Sequence, residues 1–142
     1  MVIRNFTDSD ITGIYKLLSN ELGKDISLSE LKTTVSNMCN SKDYQIFVAD
    51  IDGETVGFIG VCFGLAFEIS GKVMRVIALS VKENVQNQGI GTRLVEAAEE
   101  CARKNGADII GVNSGLTREK AHAFYVNRGF NKKGYSFVKV LK

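Results

Sequence analysis

The chain reads as a mixed α/β (α+β) protein forming one domain over residues 1–142, and three observations predict it. Apolar residues recur at the helical period in four stretches and at the strand period in others. Glycines and Asp, Asn or Ser positions mark each change of period, with no proline anywhere in the chain. At 142 residues, 44% hydrophobic and 24% charged, the chain is long enough to bury a core.

Residues 2–6 read as a short strand, after which Asp8 or Ser9 can cap a helix whose stripe is Ile11, Ile14, Tyr15, Leu18 and Leu22. Gly23 ends that helix. Ser27 followed by Glu30 has capping-box spacing ahead of Leu28, Leu31, Val35 and Met38, which predicts a second helix to about Asn40. From Tyr44 the period falls toward two. Residues 45–51, the turn Asp52-Gly53, residues 54–67, a turn at Ser70-Gly71 and residues 72–81 form a three-strand antiparallel meander.

After Gly89-Ile90-Gly91 the helical period returns, with Ile90, Leu94, Ala97, Ala98 and Cys101 on one stripe and Asn105-Gly106 as the stop. Residues 108–112 read as a buried strand. Thr117 can cap a fourth helix over residues 118–127, Gly129 stops it, and strands follow around Phe130 and over residues 135–141. The order is βααβββαβαββ, with no internal repeat, linker or low-complexity tract.

Charge and composition exclude several classes of function. Net charge is +2 with the Lys and Arg residues scattered, which argues against a dedicated nucleic-acid binder. No apolar run approaches the ~18 residues of a membrane span, and the N-terminus begins a strand rather than a signal peptide. A soluble cytoplasmic protein with neither nucleic-acid nor membrane partners is expected. Cys39, Cys62 and Cys101 are odd in number and widely spaced beside a single histidine, so neither a disulfide scaffold nor a metal site is expected.

Chemistry concentrates at residues 81–92, where a strand ends, the polar loop 82–88 follows, and Gly89 and Gly91 open a long amphipathic helix. The first N–H groups of a helix lack internal partners and sit at the positive end of its dipole, and glycines let a phosphate approach the backbone. A bare G-x-G most often serves only a tight turn, so the motif's context decides. A Walker A loop requires Lys followed by Ser or Thr at this helix start, and no such pair stands there. Leu94 stands where the dinucleotide fingerprint needs a small residue.

The stretch Gln86-Asn87-Gln88-Gly89-Ile90-Gly91 resembles the Q/R-x-x-G-x-G/A motif of the Gcn5-related N-acetyltransferase (GNAT) superfamily. The segment from Arg118 through Ala121, Phe124, Tyr125, Gly129 and Phe130 is similar to that superfamily's A-x-x-F-Y-x-x-x-G-F segment. The resemblance covers residues 2–141 and implies an acyl-CoA N-acyltransferase fold, a mixed and mostly antiparallel sheet of about seven strands flanked by four helices. It implies transfer of an acetyl group from acetyl-CoA to a primary amine of a small molecule or protein, by direct attack through a tetrahedral intermediate.

By the same resemblance, Gln86, Asn87, Gln88, Gly89, Ile90 and Gly91 would hold the pyrophosphate, with Thr92 able to donate a hydroxyl. Leu79, Ser80 and Val81 would pair with the pantetheine where the fourth and fifth strands splay, a backbone N–H near Leu79 would polarise the acetyl carbonyl, and Asn113 would touch the cofactor. Tyr125 matches the usual general acid. Spacing alone leaves it equally an aromatic packed at the base of its helix.

The general base departs from the family pattern, because residues 74–81 contain no carboxylate. Glu68 beside a turn reads as a solvated residue, and a water chain ending at a backbone carbonyl or at Ser80 is the substitute. His122 reads as surface or structural, and Arg118 and Arg128 are left without assignment. The acceptor loops, residues 22–28 and 131–135, are mixed in charge and do not choose an amine. The competing reading is a non-catalytic acyl-CoA sensor or interaction module, favoured by the missing carboxylate and opposed by Tyr125. A homodimer is compatible with the resemblance, and no residue fixes it.

Overall fold

A five-stranded sheet ordered β1-β2-β3-β4-β5 is the frame of the computed structural model, which describes residues 1–142. The elements are β1 (Val2–Asn5), α1 (Ile11–Asn20), α2 (Leu28–Cys39), β2 (Tyr44–Ile51), β3 (Glu54–Ala66), β4 (Ile69–Val81), α3 (Ile90–Lys104), β5 (Ala107–Val112) and α4 (Glu119–Asn127). The chain divides into two units, Met1–Gly111 and Val112–Lys142.

In the first unit, β1 through β4 pair antiparallel in sequence order. The β2–β3 turn places Asp52 at φ 50° and Gly53 at φ 86°, the positive pair of a type I′ hairpin that Asp-Gly favours. The Gly71 amide reaches the Asp108 carboxylate at 3.0 Å and the Lys72 amide reaches the Gly106 carbonyl at 3.1 Å. The start of β5 therefore lies beside the start of β4, so α3 is the crossover of a parallel pair and the sheet is mixed.

Both sheet faces are covered in this unit. On one face, Ile14 and Leu17 of α1 and Leu31 and Val35 of α2 pack with Ile46, Val48 and Phe58. On the other, α3 buries Ile90, Leu94, Val95, Ala98 and Ala102, so Val95 and Ala102 carry part of the stripe assigned to Ala97 and Cys101. A Cβ at Gly57 would stand 3.1 Å from the Ser80 carbonyl oxygen and 3.3 Å from Leu94 Cδ1, so glycine there is what lets α3 close on the sheet. Leu94 is fully buried, a contribution of about 1.5–3 kcal/mol.

A polar corner locks β1 to this core. Buried Asp10 accepts from the Arg4 guanidinium at 2.8 and 2.8 Å, from the Thr7 amide at 2.8 Å and from Thr55 Oγ1 at 2.7 Å. Arg4 also reaches Asp50 at 3.0 Å. The bonds from Arg4 outweigh the cost of burial and hold the Asp10 carboxyl well below the usual carboxylate range.

Several expectations are corrected. The sheet has five strands rather than about seven, because Phe130 and residues 135–141 form no strand and residues 131–142 are exposed throughout. Their alternation is that of a strand, but a strand exists only where a ladder partner does. Ser70-Gly71 lies inside β4, the turn falling at Phe67-Glu68. The strand at residues 108–112 is an edge strand with Asp108 and Ile109 exposed. Thr7 rather than Asp8 or Ser9 is the N-cap residue at the first helical segment, a 3₁₀ turn that runs into α1. Arg118 rather than Thr117 is the cap residue of α4, with no side-chain bond. The box at Ser27 forms as expected, its Oγ accepting from the Glu30 amide at 3.1 Å. All three cysteines are free, Cys39 on the surface.

Candidate active site

In the first unit, the pairing of β4 with β3 shifts register twice, between Gly64 and Ala66 and, nearer the site, between Gly60 and Val61. Gly60 faces Ala78 while Val61 faces Val76, so Ile77 has no β3 partner and the strand bulges there. Pairing then resumes as Ile59 to Leu79, Phe58 to Ser80 and Gly57 to Val81. On the other side, the six residues of β5 start beside Gly71 and Lys72 and run out before the end of the thirteen-residue β4. Leu79, Ser80 and Val81 therefore lie beyond the last residue of β5, with one strand edge open.

The chain next makes a 3₁₀ turn at Glu83–Val85 and enters α3. Gln86 acts as a strut, its Nε2 donating to the Val81 carbonyl at 2.8 Å and tying the loop to the strand end. Asn87 at φ 64° and Gly89 at φ 82° take left-handed backbone on either side of Gln88. Gly89 is the N-cap of α3, where a Ser or Asp side chain would ordinarily fill the first turn, and no side chain caps this helix.

The first bond of α3 runs from the Arg93 amide to the Gly89 carbonyl at 3.1 Å. The amides of Gly89, Ile90 and Gly91 precede it and have no carbonyl of the helix behind them. No acidic residue stands in the first turn. A Cβ at Gly89 would meet nothing within 4 Å, so the chain is uncrowded on that side of Gly89. Amides without a side-chain cap at the positive helix end are suited to a phosphate or diphosphate. An open groove of about 800 Å³ between β1, β2 and α3 is lined by none of these residues.

Ser80 is buried and its Oγ has no partner. Register puts Ser80 on the sheet face shared with Phe58, the face covered by α1 and α2. Glu68 is exposed at the β3–β4 turn, as its sequence context predicts.

The second unit carries the remaining candidates. Tyr125 on α4 is half-buried, with Phe124 and Phe130 edge-on to its ring at 5.4 and 5.6 Å. Burial pushes its phenol above the ordinary tyrosine value, against a smaller downward pull from Arg118. Asn113 is exposed on the loop that follows β5. His122 is structural: its Nε2 stands 2.7 Å from the Gly115 carbonyl and pins that loop to α4. Sequence reasoning missed this contact and the partnerless buried Oγ of Ser114, which no local spacing signals.

Comparison with known proteins follows the same lines. The model of the acetyltransferase (GNAT) family matches residues 11–130. An aminoalkylphosphonate N-acetyltransferase of Salmonella typhimurium is 24% identical over 139 residues, covering 98% of this chain and 90% of its own length. An uncharacterized N-acetyltransferase of Chlorobaculum tepidum is 30% identical over 124 residues, covering 84% of this chain and 74% of its own. The crystal structure of a transcriptional regulator from Bacillus halodurans C-125 shares the fold, with a TM-score of 0.91, 20% identity and 99% of each chain covered.

Proposed function

The chain belongs to the acetyltransferase (GNAT) family and is an acetyltransferase enzyme, and from that premise we propose that it moves an acetyl group from acetyl-CoA to a primary amine by direct attack. The observation that carries the donor assignment is the start of α3, where left-handed Gly89 replaces a capping side chain and leaves the first amides of the helix without a cap. These groups suit a diphosphate in charge and as donors.

When bound, acetyl-CoA supplies a thioester whose carbonyl carbon the amine attacks. The amides of Gly89, Ile90 and Gly91 bind the diphosphate, and Gln86, through its bond to Val81, holds the loop in register with the strand end. Asn87, Gln88 and Thr92 complete the loop. The open edge of Leu79–Val81 orients the amide-bearing arm, and a backbone N–H near Leu79 polarises the carbonyl. Asn113 contributes from the loop after β5.

Tyr125 is the proton donor to the departing thiolate. Its raised pKa keeps the phenol protonated at neutral pH, and the transfer, uphill by about 2 kcal/mol between the ordinary values, is offset where thiolate is poorly solvated. No carboxylate lies on residues 74–81, so the amine loses its proton through a water chain that ends at a backbone carbonyl or at the Ser80 hydroxyl.

The acceptor is a primary amine of a small molecule or protein. The aminoalkylphosphonate named for the Salmonella relative heads the panel to test. Incubation of the protein with acetyl-CoA and that panel, read by mass spectrometry, is expected to yield an N-acetylated amine. Acetyl-CoA left intact with every amine would contradict the proposal.

A further inference from the structure

The helical cover over one sheet face ends beside the strand end that the site uses. By register, the face that holds Phe58 and Ser80 continues through Gly60 with Ala78 and then Cys62 with Arg75, flanked on β2 by Ile46 and Tyr44. Ile46 and Phe58 are buried under α1 and α2, and Ala78 packs against the same cluster. One step further along the face that protection is gone, with Tyr44 38% exposed, Cys62 half-buried and Arg75 exposed. The bulged Ile77 joins this open part, since a Cβ at Gly60 would stand 3.5 Å from its Cγ1.

Of Tyr44, Cys62, Arg75 and Ile77, Arg75 alone carries a charge, and its side chain forms neither a hydrogen bond nor an ion pair. The other arginine on the sheet, Arg4, is by contrast fully engaged with Asp10 and Asp50. Cross-strand Cys62 and, along β4, Val73 and Ile77 offer the guanidinium no carboxylate. Where the same face passes under the helices stands a second unsatisfied group, the buried Ser80 hydroxyl. Buried polar groups are as a rule bonded, so this end of the face lacks a polar guest.

We propose that Arg75 selects the acceptor, and that the acceptor is a small amine bearing a carboxylate, phosphonate or phosphate close to its amino group; the proposal rests on the acetyl-transfer reading above. With α3 on the other face of the sheet, an amine reaches a thioester at Leu79 from the face of Ile77 and Arg75. Along a bulged strand Leu79 and Arg75 are roughly 10–13 Å apart, and an extended arginine covers much of that distance. The spacer between amine and anion is therefore short, on the order of one to three carbons. The planar guanidinium binds such an anion through two parallel N–H donors, while Ile77 packs against its stem. A polyamine meets like charge at the same place and is rejected.

Acetylation of matched amines tests the assignment. β-Alanine and its amide share a spacer and differ in the anion, as do 2-aminoethyl phosphate and ethanolamine. In wild type the anionic member of each pair is expected to have a kcat/KM about 10- to 100-fold higher at low salt, an advantage that shrinks as ionic strength rises. Arg75→Gln is expected to bring the two members of each pair close together, through a raised KM for the anionic amine. Its KM for acetyl-CoA and its Tm are expected to hold, because the side chain is exposed and unpartnered. Arg75→Lys is expected to restore part of the preference, the charge being kept and the fork lost. A wild type that turns over the uncharged members as well as the anionic ones, or a preference that survives Arg75→Gln, overturns the proposal and leaves acetyl transfer standing. Acetyl-CoA left intact with every amine overturns both.

Discussion

Gly89→Asp separates the two things this residue does. In the folded chain Gly89 sits at φ 82°, so a side chain there meets backbone strain and, with nothing within 4 Å, no steric clash. Asp tolerates left-handed backbone better than most residues, and the strain costs about 1 kcal/mol. A carboxylate at a helix N-terminus returns roughly 0.3–1 kcal/mol through the dipole. The net stability change is below about 1 kcal/mol and the expected shift in Tm is under ~5 °C.

Binding of CoA responds differently. A carboxylate about 5 Å from a phosphate charge repels it by about 1–3 kcal/mol at effective dielectric constants between ~80 and ~20. That is roughly a 5- to 150-fold loss of affinity per phosphate charge, and the carboxylate also occupies the amides the diphosphate needs. Calorimetric titration with CoA and thermal unfolding on one sample read both quantities. A Kd within twofold of wild type, with Tm preserved, would refute the cradle.

Three further outcomes are expected. Asp10→Asn removes the buried partner of Arg4, which keeps Asp50, and is expected to cost about 1–3 kcal/mol in denaturant unfolding. Because the folded carboxyl titrates below its unfolded value, the stability it supplies is complete above about pH 4 and is lost as pH falls further, so the variant is expected to show a shallower acid slope. Tyr125→Phe is expected to lower kcat about 100-fold with CoA affinity unchanged, and wild-type kcat is expected to lose its acid only above the ordinary tyrosine range, since burial shifts the phenol upward; an unchanged kcat removes Tyr125 from the chemistry. Gln86→Leu loses the bond to the Val81 carbonyl and is expected to raise KM for acetyl-CoA severalfold with Tm within a few degrees, measured by steady-state kinetics.

Local signals in the chain were read well because their physics is local. Asp52-Gly53 predicts its hairpin through two positive φ values, and Ser27 with Glu30 predicts its box through two reciprocal bonds. The Gly89 start of α3 was legible for the same reason, since the change of period and the glycines fall together. What escaped depends on distant partners. Asp10 draws on Arg4, Thr7 and Thr55, and no spacing announces that these meet. The bulge at Ile77 is one unpaired residue within the strand, visible only once β3 lies alongside. Residues 135–141 alternate as a strand does, and alternation states which side chains share a face without stating what the backbone pairs with.

The measurement that bears most directly on the central claim is CoA thiol release by the purified protein over a panel of primary amines, with calorimetric CoA binding on the same sample. The account predicts CoA binding and turnover with at least one amine. Absence of CoA binding, or tight binding without release of thiol on any amine, would contradict it.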